Sequence, residues 1–176
     1  VKALSLNNYL PKGLDLQNTI AIAPGAKVMS KQWSKQNYEG LINKLVEKGF
    51  SLVLIGGDKE GIFFEGQSVI NLCGKLSIDQ TRTFLSKCAL LVCNDSGPMH
   101  LAYSVNTPLI ALFGGRSYPK AWWPKEKENA RVLFKQVNYP LAYIGNKGLD
   151  HQYDLHLNSI SVSEVLIHVD ALISLT

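Results

Sequence analysis

Short, wholly apolar runs that stop at glycine or proline recur along this chain, and between them lie stretches with the period of an amphipathic helix. Thr19-Ile20-Ala21-Ile22-Ala23 closes on Pro24-Gly25. After a loop to Ser34, Tyr38, Leu41, Ile42, Leu45 and Val46 fall at the spacing of one helix face, which Gly49 ends. Leu52-Val53-Leu54-Ile55 then stops at Gly56-Gly57, and Val69-Ile70-Asn71-Leu72 follows as a third run. Ser77 with Gln80 three positions on forms a capping box that opens a helix to about Lys87. Ala89-Leu90-Leu91-Val92-Cys93 is the next strand, and Asp95 stands where the cap of a helix to about Val105 belongs. Leu109-Ile110-Ala111-Leu112-Phe113 is another buried strand, Arg131-Val132-Leu133-Phe134 a final one, and Ser161 with Glu164 opens a closing helix through Val165, Leu166, Val169 and Leu172. Strands apolar on every residue are covered on both faces, and parallel strands need crossover connections. The expected fold class is therefore α/β, a parallel sheet with helices on both faces.

The chain of 176 residues has room for one sizeable core, with residues 1–18 expected as a lead-in or linker and residues 19–176 as the domain. A charged fraction of 18% against 46% apolar residues excludes the disordered class. The net charge of +4 is spread along the sequence, which suits a phosphorylated small molecule and gives no argument for nucleic acid. Cys73, Cys88 and Cys93 form no CxxC pair and no ligand spacing with histidine, so buried reduced thiols are expected and no metal site. The first residues carry no signal-peptide pattern and no apolar run is long enough for a membrane span, which makes a cytoplasmic domain the expectation. Residues 114–129, with the Trp122-Trp123 pair, read as a long loop, and residues 138–158 as irregular.

In an open parallel sheet, ligands bind beyond the carboxyl ends of the strands. Three turns qualify: residues 24–31, 56–60 and 94–100. In the third, Asp95-Ser96-Gly97-Pro98 combines a cap residue, a small hydroxyl, a glycine permitting close approach and a proline suited to a first helical turn. Free N–H groups and the helix dipole there make an anion seat, with Ser96 as a further donor. The same four residues also read as a well-capped helix and nothing more. A carboxylate at Asp95 would repel a phosphate unless it faced its own backbone or sugar hydroxyls. Neither GxGxxG nor GxxxxGK[ST] occurs, which argues against a dinucleotide dehydrogenase and a P-loop enzyme.

Asp95-Ser96-Gly97-Pro98-Met99-His100-Leu101-Ala102 resembles the D-[ST]-G-x-x-H-L signature of glycosyltransferase family 9, the ADP-heptose:lipopolysaccharide heptosyltransferases. Pro24-Gly25-Ala26 with Lys31-Gln32-Trp33, Gly56-Gly57-Asp58-Lys59-Glu60, and Asn71 to Ser77 are similar to further segments of that family, in order. The resemblance implies one half of a GT-B glycosyltransferase, a Rossmann-like domain that holds the nucleotide sugar. It places Lys31 on the donor phosphates, Glu60 on the adenosine ribose, Leu76 near the base, and Asp95, Ser96, Gly97 and His100 around the pyrophosphate and heptose. Where the family often has hydroxyl residues before the lysine, this chain has Ala26 and Lys27, and Lys27 is a candidate electrostatic replacement.

The implied reaction moves heptose from ADP-heptose, the donor substrate, to the lipopolysaccharide inner core. No cofactor or metal takes part. The family's acidic base belongs to an amino-terminal domain with no counterpart here, so no catalytic residue is expected in this chain and the chain alone is expected to be inactive. The core acceptor would be met through that other domain, and the whole enzyme could associate peripherally with the inner face of the inner membrane. Two rivals stay open: the nucleotide-sugar half of another GT-B transferase, and a non-catalytic nucleotide-binding module.

Overall fold

The computed structural model describes residues 6, 8–27, 29–64, 66–114, 123–125, 128–135 and 157–175. Among them six strands form one parallel sheet: β1 (Thr19–Ala23), β2 (Ser51–Leu54), β3 (Ile70–Asn71), β4 (Leu90–Asn94), β5 (Leu109–Phe113) and β6 (Ala130–Phe134). Four α-helices accompany them: α1 (Lys35–Glu47), α2 (Ile78–Leu85), α3 (Gly97–Ser104) and α4 (Val162–Ile173). The strand order is β3-β2-β1-β4-β5-β6. The chain therefore winds outward from β1 in one direction, returns, and winds outward from β4 in the other. Between β1 and β4, which pair from Ile20↔Leu90 to Ala23↔Cys93, successive connections leave on opposite sides and open a crevice at the strand ends. This is the α/β, Rossmann-like sheet that the apolar runs predict.

Alternate residues of each strand feed two cores. Ile20, Ile22, Leu52, Leu54, Leu90, Val92, Ile110 and Leu112 pack on one face with Leu41, Ile42 and Leu45 of α1 and Val165, Val169 and Leu172 of α4. Ala21, Ala23, Val53, Leu91, Cys93, Ala111 and Phe113 pack on the other with Phe84 and Leu85 of α2 and Met99 and Ala102 of α3. Covering a Leu or Ile fully is worth about 1.5–3 kcal/mol, so helices on both sides are what keep these strands in place. Leu6 is buried in the second core, and Leu10, Leu14 and Leu16 pack against it, so the described part of the lead-in lies on the domain. A short 3-10 turn, Leu16–Asn18, delivers it to β1, with Asp15 accepting from the Gln17 N–H at 2.9 Å.

Several boundaries differ from the sequence reading. β3 is only Ile70–Asn71, where a run from Val69 to Leu72 is expected. β4 is displaced by one residue and ends on the polar Asn94. Val46, expected on the buried face of α1, is 37% exposed: the helix turns it past the contact with the sheet, and Gly49, at φ +87°, ends the helix two residues beyond its last turn. The capping box of α2 forms in both directions, Gln80 N–H to Ser77 Oγ at 3.2 Å and Ser77 N–H to Gln80 Oε1 at 2.9 Å. At α4 only the first half forms, because the Glu164 carboxylate pairs with Lys135 instead. All three cysteines are free and buried; burial pushes the Cys73 thiol up to about 12 and raises Cys88 and Cys93 as well. Of the two segments read as a long loop and as irregular, residues 115–122, 126, 127 and 138–156, Trp122 included, lie outside the described residues. Trp123 packs between Phe113 and Phe134, with ring centroids 5.2 Å from each. No helix among the described residues is long and apolar enough to cross a membrane.

Candidate functional site

The turns after β1, β2 and β4 meet at the crevice and, with the start of α2, enclose a cleft of about 420 Å³. Gly25, Ala26 and Lys27 come from the first turn; Gly56, Gly57 and Glu60 from the second; Leu76, Ile78 and Thr81 from the approach to α2; Ser96, Gly97, Pro98 and Leu101 from α3. Of the residues singled out in the sequence, Lys27, Glu60, Leu76, Ser96 and Gly97 thus line one cleft. Lys31 and Asp95 lie outside its lining and pair with each other, Lys31 Nζ to Asp95 Oδ2. His100 is exposed on α3 and does not line the cleft.

Asp95 is not the helix cap. Ser96 is the N-cap residue, in an extended conformation (φ −151°, ψ 172°), and its side chain makes no cap hydrogen bond. The Ser96 hydroxyl instead donates to the Asn94 carbonyl at 3.3 Å. The Asp95 carboxylate, whose side chain is only 7% exposed, is turned to the Lys31 ammonium, 64 residues away in sequence. This answers the repulsion raised above: the carboxylate beside the anion seat already has its counter-charge. Ser96 thus gives the start of α3 no cap from its own hydroxyl, and Pro98, lacking an N–H, sits in its first turn. At Gly97 an added Cβ would meet nothing within 4 Å. No protein packing demands a glycine there, so the open backbone faces the cleft.

Glu60 lies against two other glycines. Its carboxylate lies over the ends of β1 and β2, where a Cβ on Gly25 would stand 1.8 Å from Cδ and one on Gly56 1.9 Å from Oε2. Gly56 also holds φ +146°, a conformation open to glycine alone. The Gly57 N–H donates to Glu60 Oε2 at 3.1 Å. Burial raises the Glu60 pKa, the Gly57 N–H partly offsets this, and Asp58 adds to the rise.

A carboxyl raised above its unfolded value binds its proton more tightly when folded, so its ionisation opposes folding. The cost is absent in acid and sets in as pH rises through the folded value. Glu60→Gln is accordingly expected to raise the melting temperature near neutral pH and to give no gain below the ordinary glutamate range. Thermal melts across pH check it; an equal gain at all pH values would show that the charge is not the cause.

Three contributors escaped the sequence reading. Ile78, 72% exposed, and Thr81 line the cleft from α2; an apolar residue just after a cap serine is the signal that could have found Ile78. Asn94 is fully buried. It accepts from the Trp33 N–H and the Tyr38 hydroxyl, each at 3.1 Å, and donates to the Pro24 carbonyl at 2.7 Å. Its signal is a polar residue at the end of an otherwise apolar strand. Among the described residues no group of three or more His, Cys, Asp or Glu is placed to hold a metal ion.

Residues 4–142 match the family model for glycosyltransferase family 9 (heptosyltransferase). Lipopolysaccharide heptosyltransferase 2 of Escherichia coli K12 is 30% identical over 165 residues, which cover 88% of this chain and 46% of that protein. Lipooligosaccharide heptosyltransferase 2 of Haemophilus ducreyi is 30% identical over 168 residues, 88% of this chain and 47% of its own length. The chain thus spans about half the length of the curated relatives it matches. Among solved structures, E. coli ADP-heptose lipopolysaccharide heptosyltransferase II superposes with a TM-score of 0.76 at 27% identity, covering 96% of this chain and 50% of the other. The family 9 glycosyltransferase of Veillonella parvula gives 0.76 at 25% identity, with 90% and 46% covered. With the sequence match, the fold and the glycine-bearing turns in agreement, this chain belongs to glycosyltransferase family 9 (heptosyltransferase).

Proposed function

We propose that this chain is the donor-binding half of a heptosyltransferase, holding ADP-heptose while heptose passes to a hydroxyl of the lipopolysaccharide inner core. One observation carries the reading: the start of α3, where Ser96 makes no cap hydrogen bond, and Lys27 line the same cleft as the apolar Leu76, Ile78 and Leu101. The former suit a diphosphate and the latter the face of a base. Glu60, an acceptor held in place by the Gly57 N–H, suits the ribose hydroxyls. Lys31 keeps the Asp95 charge balanced next to the bound anion, and the pair together with His100 is assigned to the phosphates and heptose.

In the reaction the acceptor oxygen attacks the anomeric carbon from the face opposite the diphosphate. The bond from that carbon to the diphosphate oxygen breaks, its electron pair leaves with ADP, and the configuration inverts. The acceptor proton goes to an acidic base outside this chain. Negative charge grows on the departing diphosphate, so fixed donors at α3 and the Lys27 charge stabilise the transition state more than the ground state. The acceptor is lipid-anchored, which would place the whole enzyme in the cytoplasm at the inner face of the inner membrane.

Calorimetric titration tests the reading. The chain is expected to bind ADP more tightly than UDP or GDP and to transfer no sugar by itself. Lys27→Ala and Ser96→Ala should each weaken ADP binding by about 1–3 kcal/mol, the range for a lost charge-assisted or buried hydrogen bond. Lys27→Ala should also flatten the salt dependence of binding. Equal affinity for the three nucleotides would point to another sugar donor, no nucleotide binding would reject the reading, and heptose transfer by the chain alone would remove the need for a base elsewhere.

A further inference from the structure

The loop between β1 and α1 carries Lys27 and Lys31, and one side chain of β4 ties down both its ends. At the near end the Asn94 amide donates to the Pro24 carbonyl at 2.7 Å. At the far end its oxygen accepts from the Trp33 N–H at 3.1 Å and from the Tyr38 hydroxyl at 3.1 Å. A backbone N–H can only donate and a carbonyl can only accept, so these partners fix which way the carboxamide points. The far anchor is itself rigid. The Trp33 indole donates to the Ile160 carbonyl at 2.9 Å, and its ring meets that of Tyr38 edge-on at 5.0 Å. Asn94 directly precedes Asp95, so the residue that sets the loop also starts the turn that receives Lys31.

We propose that Asn94 is a positioning residue for donor binding: it clamps the β1–α1 loop to the end of β4 so that Lys27 faces the cleft while Lys31 meets Asp95. This rests on the reading of the cleft as a nucleotide diphosphate site. A residue needed only to satisfy the core would have no reason to bond solely to the loop that brings the cations and to the helix that follows it. The side chain is fully buried, so each bond it loses leaves a polar group dry.

Asn94→Asp tests the clamp without changing its shape. The protonated carboxyl can still donate toward Pro24 and accept from Trp33 and Tyr38. Once ionised it can no longer donate, and it sets a second negative charge beside Asp95. The other titratable groups around the position are Tyr38 on α1, Cys93 on β4, Lys31 on the loop, and Glu60, which couples to Tyr38. The wild-type chain measured over the same pH range subtracts their titration and that of ADP.

Two readouts apply: hydrogen exchange of the amides between Pro24 and Trp33, without ligand, and the affinity for ADP. Burial lifts the introduced carboxyl above the ordinary aspartate range; as pH rises through its ionisation, followed by the infrared carboxylate band, Asn94→Asp should gain loop exchange and lose about tenfold or more in ADP affinity relative to wild type. Asn94→Ala should show both defects at every pH. Val169→Ala, a buried α4 variant remote from the cleft, should lose stability while keeping ADP affinity in the folded chain. If Asn94→Ala does not fold, Asn94→Asp at the acid end supplies the folded reference.

Loop exchange and ADP affinity that match wild type in Asn94→Asp at a pH where its infrared carboxylate band shows the carboxyl ionised would overturn the proposal. So would an ADP defect of the same size in Val169→Ala. If the wild-type chain binds no ADP, the cleft reading fails, and the clamp then stands or falls on loop exchange alone.

Discussion

Phe84→Ala is expected to cost about 3–5 kcal/mol of unfolding free energy, the range for removing a fully buried aromatic ring and leaving its space unfilled. Phe84 is 0% exposed and packs among the second core. Helix α2 is only eight residues long, and Phe84 and Leu85 are its buried residues. Its capping box and the Thr107 hydroxyl bond to the Leu85 carbonyl, at 2.8 Å, hold its two ends. Neither replaces the ring as the anchor of the helix to the sheet. Since domains of this kind are stable by about 5–15 kcal/mol, the loss consumes a large share of the margin. Urea unfolding followed by tryptophan fluorescence measures it. The same helix brings Ile78 and Thr81 to the cleft, so ADP affinity should fall along with stability. A loss below about 1 kcal/mol would mean that the core refills around the missing ring.

The second large effect lies at the Lys31–Asp95 pair. Lys31→Ala removes the counter-charge from a carboxylate that is only 7% exposed and stands next to the anion seat. Two like charges about 6 Å apart repel by about 3 kcal/mol at an effective dielectric constant of about 20, so ADP binding should weaken by about 2–3 kcal/mol. Asp95→Asn alone removes the repelling charge and releases Lys31 toward the phosphates. It should leave ADP affinity equal or tighter. Combining the two should recover much of what Lys31→Ala loses, a coupling of about 1–3 kcal/mol. Calorimetry on the four chains measures the cycle, and strictly additive effects would reject the pairing. Repeating it with ADP-heptose separates a second role: if the Asp95 carboxylate also holds the sugar, Asp95→Asn weakens ADP-heptose binding while sparing ADP. Because Ser96 and not Asp95 holds the N-cap position of α3, the stability effects of Asp95 variants should follow the loss of the Lys31 pair.

Much of the fold is legible in the chain. β1 and β5 occupy the residues that the apolar runs delimit, Thr19–Ala23 and Leu109–Phe113. Both are central strands, buried on both faces, so composition marks their ends sharply. The capping box at Ser77 and the start of α4 at Ser161 are equally legible, since a cap hydrogen bond spans three residues and is a local event. Edges were harder. β3 retains two residues because only Val53↔Ile70 and Leu54↔Asn71 find partners on β2, and pairing is a property of the neighbour.

At the cleft, the identity of the turns could be read, because Gly56 holds a positive φ and Pro98 suits a first helical turn, both local matters of backbone shape. What each side chain does there could not. Asp95 looked like a cap because it precedes a helical run, yet the chain enters α3 one residue later. Its partner is set by a loop distant in sequence. Glu60 meets Gly25 and Gly56 only once β1 and β2 lie side by side.

By itself, then, the sequence determined the order of strands and helices, the two-sided burial of the sheet and the three turns that could bind an anion, because propensity, periodicity and capping act over a few residues. The tertiary structure alone decided that Lys31 meets Asp95, that Lys27 rather than Lys31 lines the cleft, and that Asn94 ties the first turn to the third. Those contacts join segments 56 to 70 residues apart. They exist only because β4 returns to pair with β1, and no local pattern carries that return.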